Sequence, residues 1–122
     1  MLVPVGESAA IVTATALASD HGATVTALAV IEVPAALPLD AHMGPEEFEA
    51  RRMLAAAESV GDRHGVRVER RIVRAREAGE AIVDAAEESD AELVVLRRPL
   101  DRTARYVLQH AGCRVLFCAT PR

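Results

Sequence analysis

Tryptophan is absent, and aromatic residues of all kinds make up only 2% of the sequence. Large rings cannot organise a core here, so Ala, Val, Leu and Ile must fill it. No apolar run approaches the ~20 residues that cross a bilayer. The opening "MLVPVGES" lacks the basic region and cleavage site of a signal peptide. A cytoplasmic domain without direct membrane insertion is the expectation. A field of one sign is also missing: 14 basic and 18 acidic residues are interspersed and leave a formal charge of −4. A nucleic acid backbone would meet no continuous attraction, which excludes it as a partner. Cys113 and Cys118 are the only cysteines. Five positions apart on an extended strand, they would lie about 17 Å from each other, too far for a disulfide within that strand.

Site motifs are equally scarce. His21, His42, His64 and His110 form no i, i+4 pair and have no neighbouring Cys, so no metal site is expected. His21 and His64 each precede a glycine and suit helix ends, where a partly positive imidazole favours the dipole. Glu87, Glu88, Asp90 and Glu92 read as a solvated helix end and turn. Ser8 has no surrounding "GxSxG" elbow and no assignable base, which argues against a hydrolase. No nucleophile, base and oxyanion donor can be placed together, so no catalytic residue is expected. Both cysteines read as structural, Cys118 as a small hydrophobe among apolar neighbours.

What is present is a regular alternation. At 122 residues the chain reads as one domain over residues 1–122, large enough to bury roughly two thirds of its unfolded surface. "LVPV" at 2–5 is a short strand broken by Gly6, and Ser8 is a candidate N-cap for a helix carrying Ile11, Ala14, Ala18 and His21 until Gly22 stops it. "ATVTALAVIEV" at 23–33 is a strand covered on both faces. After the loop 34–44, Pro45, Glu46 and Glu47 start a helix whose expected inner face is Met53, Ala57, Val60 and His64, ending at Gly65. "VRVERRIV" is an edge strand with Val66, Val68 and Ile72 alternating against charge. A third helix carries Ile82, Val83, Ala86 and Ser89, and "LVVL" at 93–96 is a fourth strand. A fourth helix carries Ala104, Val107, Leu108 and Ala111 up to Gly112, and "RVLFC" at 114–118 is the last strand. Alternating strands and helices predict an α/β fold: a parallel sheet with right-handed crossovers and helices on both faces.

Taken in order, "LVPV" with "GES", "GATVTALAVIEVP", "AGEAIVDAAEESDAELVVL" and "ARYVLQHAGCRVLF" resemble the universal stress protein family over essentially the whole chain. The resemblance implies a five-stranded parallel sheet in the order 3-2-1-4-5, a Rossmann-like three-layer sandwich, usually dimeric. It also implies a nucleotide site where strand order reverses, at the ends of the first and fourth strands. Binding members carry an Asp directly after the first strand, contact adenine through main chain at the end of the second, and wrap phosphates in a Gly-x2-Gly-x9-Gly-Ser/Thr loop after the fourth.

Against that pattern Pro4, Val30 and Leu96 fit. Gly6 stands in place of the Asp, and Arg97 in place of the first glycine. Asp101 and Arg102, followed by Thr103, stand where the final Gly-Ser/Thr pair belongs, four residues after Arg97 instead of about a dozen. Pro99 and two arginines cannot follow the path that glycine allows around a phosphate. Each hydrogen bond to a charged phosphate contributes roughly 1.5–3 kcal/mol, while micromolar binding is worth about 8 kcal/mol in all. Loss of three such bonds removes at least half, so ATP or AMP is disfavoured as a cofactor.

Two readings of Arg97, Arg98, Arg102 and Arg105 stay open. They form either a compact site for an anionic small molecule or a solvated loop paired to Asp101 or nearby acids. Arg114, Val115, Leu116, Phe117 and Cys118 form an apolar outer strand that invites a second copy, as in the family's habit of antiparallel last-strand pairing. Cys113 of one chain could face Cys118 of the other in some registers. The leading expectation is a non-catalytic, dimeric regulatory or interaction module that does not bind ATP in the usual family mode. The alternatives are a sensor of a nucleotide or other anionic metabolite, and a regulatory domain of a transporter. The last rests on "VIEVPAALPLDA", which is similar to stress-protein domains appended to the cytoplasmic side of membrane transporters, and on a chain that begins directly on its first strand.

Overall fold

In a computed structural model, which describes residues 1–6, 9–97 and 100–118, the apolar runs become the inner strands of a single sheet. The elements are β1 (Leu2–Pro4), α1 (Ala9–His21), β2 (Val25–Glu32), α2 (Gly44–Arg63), β3 (Val68–Ala75), α3 (Ala78–Glu88), β4 (Leu93–Arg97), α4 (Arg102–His110) and β5 (Arg114–Cys118). The sheet is parallel throughout, in the order β3-β2-β1-β4-β5. Ser8, Arg98 and Pro99, on which sequence expectations rested, lie outside the described residues.

Alternation along the strands divides the core in two. Val3, Val25, Ala27, Ala29, Ile31 and Val95 face α1 and α2, where Ile11, Ala14, Ala18, Leu54 and Val60 meet them. Leu2, Leu28, Val94 and Leu96 face α3 and α4, against Ile82, Val83, Ala86, Ala104 and Val107. Aliphatic side chains fill both layers, and the rings of Tyr106 and Phe117 pack at the margin of the α3–α4 side. Thr15, fully buried in α1, satisfies its hydroxyl by donating to the carbonyls of Ile11 and Val12 at 2.9 and 3.0 Å.

Helix ends follow local chemistry. Gly22 and Gly65 close α1 and α2 at φ 63° and 66°, the left-handed conformation that glycine enters without penalty. The His64 ring nitrogen lies 2.9 Å from the Val60 carbonyl at the end of α2. After α3 no glycine is available, and Asp90 takes the left-handed position instead, at φ 54°. Gly112 does not: α4 ends at His110, and Ala111 leaves it in extended conformation.

Three packing expectations are corrected. The inner face of α2 is Ala50, Leu54, Ala57, Val60 and Gly61, with His64 exposed. Ile72 is 43% exposed, because β3 is an edge that α2 covers only in part, while its neighbour Val73 packs on the α3 side. Leu108 is 51% exposed and Val107 fully buried, so the α4 stripe is a narrow one, Ala104 and Val107. Cys118, at the end of β5, packs on the α1–α2 side and Cys113, just before β5, on the α3–α4 side, both as free thiols. Residues directly opposite each other in an antiparallel pair share a face. Cys113 and Cys118 lie on different faces, which removes their expected opposition between two copies.

Candidate functional site

At the carboxyl end of the sheet β1 stops at Pro4 while β2 continues to Glu32. The Val5 N–H bonds the Leu28 carbonyl at 2.7 Å. Two residues on, strand alternation turns the N–H and C=O of Val30 the same way, past the end of β1. The backbone edge expected to read a base is therefore present. The side chains of Val30 and Leu96 pack on the α3–α4 core, Val30 partly buried and Leu96 at 6% exposure.

The crossover on the other side of the switch point is short. Arg97 ends β4, in register with Cys118, and α4 begins at Arg102. Asp101 is its N-cap, accepting the Ala104 N–H at 2.8 Å. One oxygen of that carboxylate, an expected partner for the arginines, is thus engaged by the helix. Gly6 is exposed, with nothing within 4 Å of where a β-carbon would sit. An aspartate would fit there, so what is missing at Gly6 is the carboxylate and not the space.

The predicted site residues separate onto two faces. Pro4 and Gly6 border a cavity of about 290 Å³ between α1 and α2, with Val5, Ile11, Met53 and Ala57. Arg102 and Thr103 line a groove of about 800 Å³ on the α3–α4 side, together with Arg105. Four residues that the sequence did not single out also line that groove: Glu32 at the end of β2, Arg76 and Glu77 from the β3–α3 turn, and Tyr106 on α4. Arg76 was hidden because an arginine after an edge strand carries no pattern of its own. Only the fold brings it to Arg102.

Within the groove Arg102 Nη2 lies 3.6 Å from Glu77 Oε1, with both side chains largely in solvent. Arg76 Nη1 donates to the carbonyls of Val33, Pro34 and Leu37 at 3.3, 2.6 and 2.8 Å. Arg74 bonds Glu47 and, at 2.7 Å, the Ala41 carbonyl. These two arginines fasten the loop after β2 onto β3. Tyr106 stacks on His110 with ring centroids 4.1 Å apart. Its hydroxyl is held above the ordinary phenol pKa, first by burial and then by the carboxylates of Glu80, Asp84 and Glu77. Among the described residues no group of three or more His, Cys, Asp or Glu is placed to hold a metal. No helix among them is long and apolar enough to cross a membrane.

With this geometry in place, comparison decides the lineage. A family model described as the universal stress protein family matches residues 1–119. The chain belongs to the universal stress protein family. Among solved structures it is similar to the universal stress protein from Archaeoglobus fulgidus in complex with dAMP, at 22% identity and TM-score 0.82 over 95% of this chain and 94% of that one. A family member from Burkholderia pseudomallei is 26% identical with TM-score 0.78, covering 96% and 94% of the two chains. The universal stress protein from Arabidopsis thaliana with AMP bound is 16% identical with TM-score 0.69, covering 98% and 91%. A search of curated proteins finds no match. The expected order 3-2-1-4-5 and the expected family are thus both found.

Proposed function

We propose that this universal stress protein is a non-catalytic, cytoplasmic regulatory module that works as a homodimer and does not hold ATP in the glycine-loop manner. The observation that carries the reading is the crossover of residues 98–101 between Arg97 and Arg102. Four residues span one strand end and one helix start, with no length left to encircle a triphosphate. Relatives bound to dAMP and AMP make the test direct. Calorimetry with MgATP should give no binding tighter than millimolar, and the affinity should not rise from adenosine to ATP. Micromolar, magnesium-dependent uptake of ATP would overturn the proposal.

The dimer reading is supported by the backbone of β5. The Arg114 N–H reaches the Glu92 carbonyl at 3.3 Å, so Arg114, Leu116 and Cys118 turn their amide groups toward β4. Val115 and Phe117 turn theirs toward the open edge. An antiparallel copy that satisfies both places Val115 opposite Phe117 of its twin, and Leu116 opposite itself on the two-fold axis. Leu116 is 36% exposed in the single chain and would be covered there.

A further inference from the structure

We propose that the outward face of α2 docks a second copy of this chain, with Phe48 of each copy entering the apolar cavity between α1 and α2 of the other. This contact lies apart from β5 and goes beyond the dimer reading without depending on it.

Helical spacing gives α2 three faces. Ala50, Leu54, Ala57 and Gly61 are buried against the sheet. Glu47 and Glu58 turn toward β3, where they pair with Arg74 and Arg70. Phe48, Arg52, Ala55, Ala56 and Ser59 are left on the exposed side. Phe48 is one of two phenylalanines in the sequence. At 68% exposure it is the most exposed large apolar side chain among the described residues. The cavity of about 290 Å³ borders the same side of α2 through Arg52, Met53 and Ala56, against Pro4, Val5 and Ile11. An apolar void of about 150 Å³ already accepts a benzene ring. A phenyl group entering here would meet the Met53 thioether and the Arg52 guanidinium, both favourable neighbours of an aromatic ring.

Charge and symmetry select a second copy as the occupant. Glu49 and Arg52 bond each other within the helix, so the knob and the recess carry one charge of each sign between them. A partner of uniform charge gains nothing there. In an antiparallel pairing of α2 about a two-fold axis near this ion pair, Phe48 of each copy sits beside Arg52, Met53 and Ala56 of its twin. Glu49 then comes within reach of Arg52 of the twin. Knob meets recess and carboxylate meets guanidinium, each twice over, as an isologous contact requires. One helix face falls short of the ~800 Å² per partner that holds a stable dimer, so pairing is expected at about 0.1–1 mM.

The test is sedimentation equilibrium in the Leu116→Arg background, where β5 pairing is blocked and the chain is monomeric in dilute solution. Dimers are expected to appear as concentration rises toward about 1 mM. Phe48→Ala, at an exposed position, should weaken the association about tenfold and leave the circular dichroism unchanged. Glu49→Arg puts two arginines at the contact and Arg52→Glu two glutamates, so neither variant alone should pair. An equimolar mixture of the two should pair as the background protein does. Each cross-contact then joins opposite charges, although both chains have lost the ion pair within their own helix. The proposal fails if the Leu116→Arg chains do not associate, if Phe48→Ala leaves association unchanged, or if mixing gives no more association than the separate variants. Failure of the β5 reading shows differently, as a parent protein that sediments like Leu116→Arg at every concentration.

Discussion

A β-carbon placed on Gly79 would lie 2.9 Å from both Cβ and Cδ1 of Tyr106, so α3 touches α4 through a glycine because no larger residue fits. Alanine is the better helix former by about 1 kcal/mol. At this position the overlap outweighs that gain, because Cβ of Tyr106 cannot move without α4. Gly79→Ala is expected to destabilise the protein by about 1–3 kcal/mol. Chemical denaturation measures it, and a variant more stable than the parent would contradict the described helix contact.

The short crossover leaves α4 dependent on its cap. Asp101→Ala removes the acceptor for the Ala104 N–H and should cost about 1 kcal/mol, whereas Asp101→Asn should recover most of it. Equal stabilities for the two variants in urea unfolding would show that the capping bond contributes nothing.

Tyr106 gives a pH signature of its own. Burial and three carboxylates raise its pKa in the folded protein, so the fold favours the neutral phenol. The sign follows: this group does not reduce stability below the ordinary tyrosine range near 10, and stability declines as pH rises through that range and up to the higher folded value. The sequence has one tyrosine and no tryptophan, so tyrosinate absorbance reports this residue alone. The folded midpoint should exceed the midpoint in denaturant, and coincidence of the two would remove the burial argument.

The proposed dimer axis passes Leu116. In a Cys113→Ala/Cys118→Ala background, Leu116→Cys should form an intermolecular disulfide under mild oxidation, because a close, non-hydrogen-bonded antiparallel pair sets Cα atoms about 4.5 Å apart, within disulfide reach. Leu116→Arg should yield monomers by light scattering. A parent protein that is monomeric at high concentration would end the dimer reading.

The architecture was legible where pattern and packing agree. The apolar runs that became β2 and β4, and the glycines at 22 and 65, needed only local chemistry. Ile72 shows the limit: its alternation on β3 was correct, but exposure depends on how far α2 reaches across the sheet edge, which no window of sequence contains. Leu54 and Gly61 take the buried places expected of Met53 and His64 for a related reason, since several phases of a helix rich in Ala present similar apolar faces. At the site, the shortened crossover could be counted directly from Arg97 to Arg102. The sharing of one groove by Arg76, Arg102 and Arg105 could not, because strand order and helix placement bring together positions 26 or more apart in the chain.

Residues 33–43, between β2 and α2, include two prolines and no regular element, the kind of stretch where a protease usually cuts first. Arg74 and Arg76 hold four of its carbonyl oxygens, on Val33, Pro34, Leu37 and Ala41. A scissile segment must be drawn out to enter a protease cleft, and here that requires tearing backbone acceptors off two guanidinium groups. Resistance to nicking in this connection is therefore a property conferred by the neighbouring strand, and substitution of Arg76 would expose it.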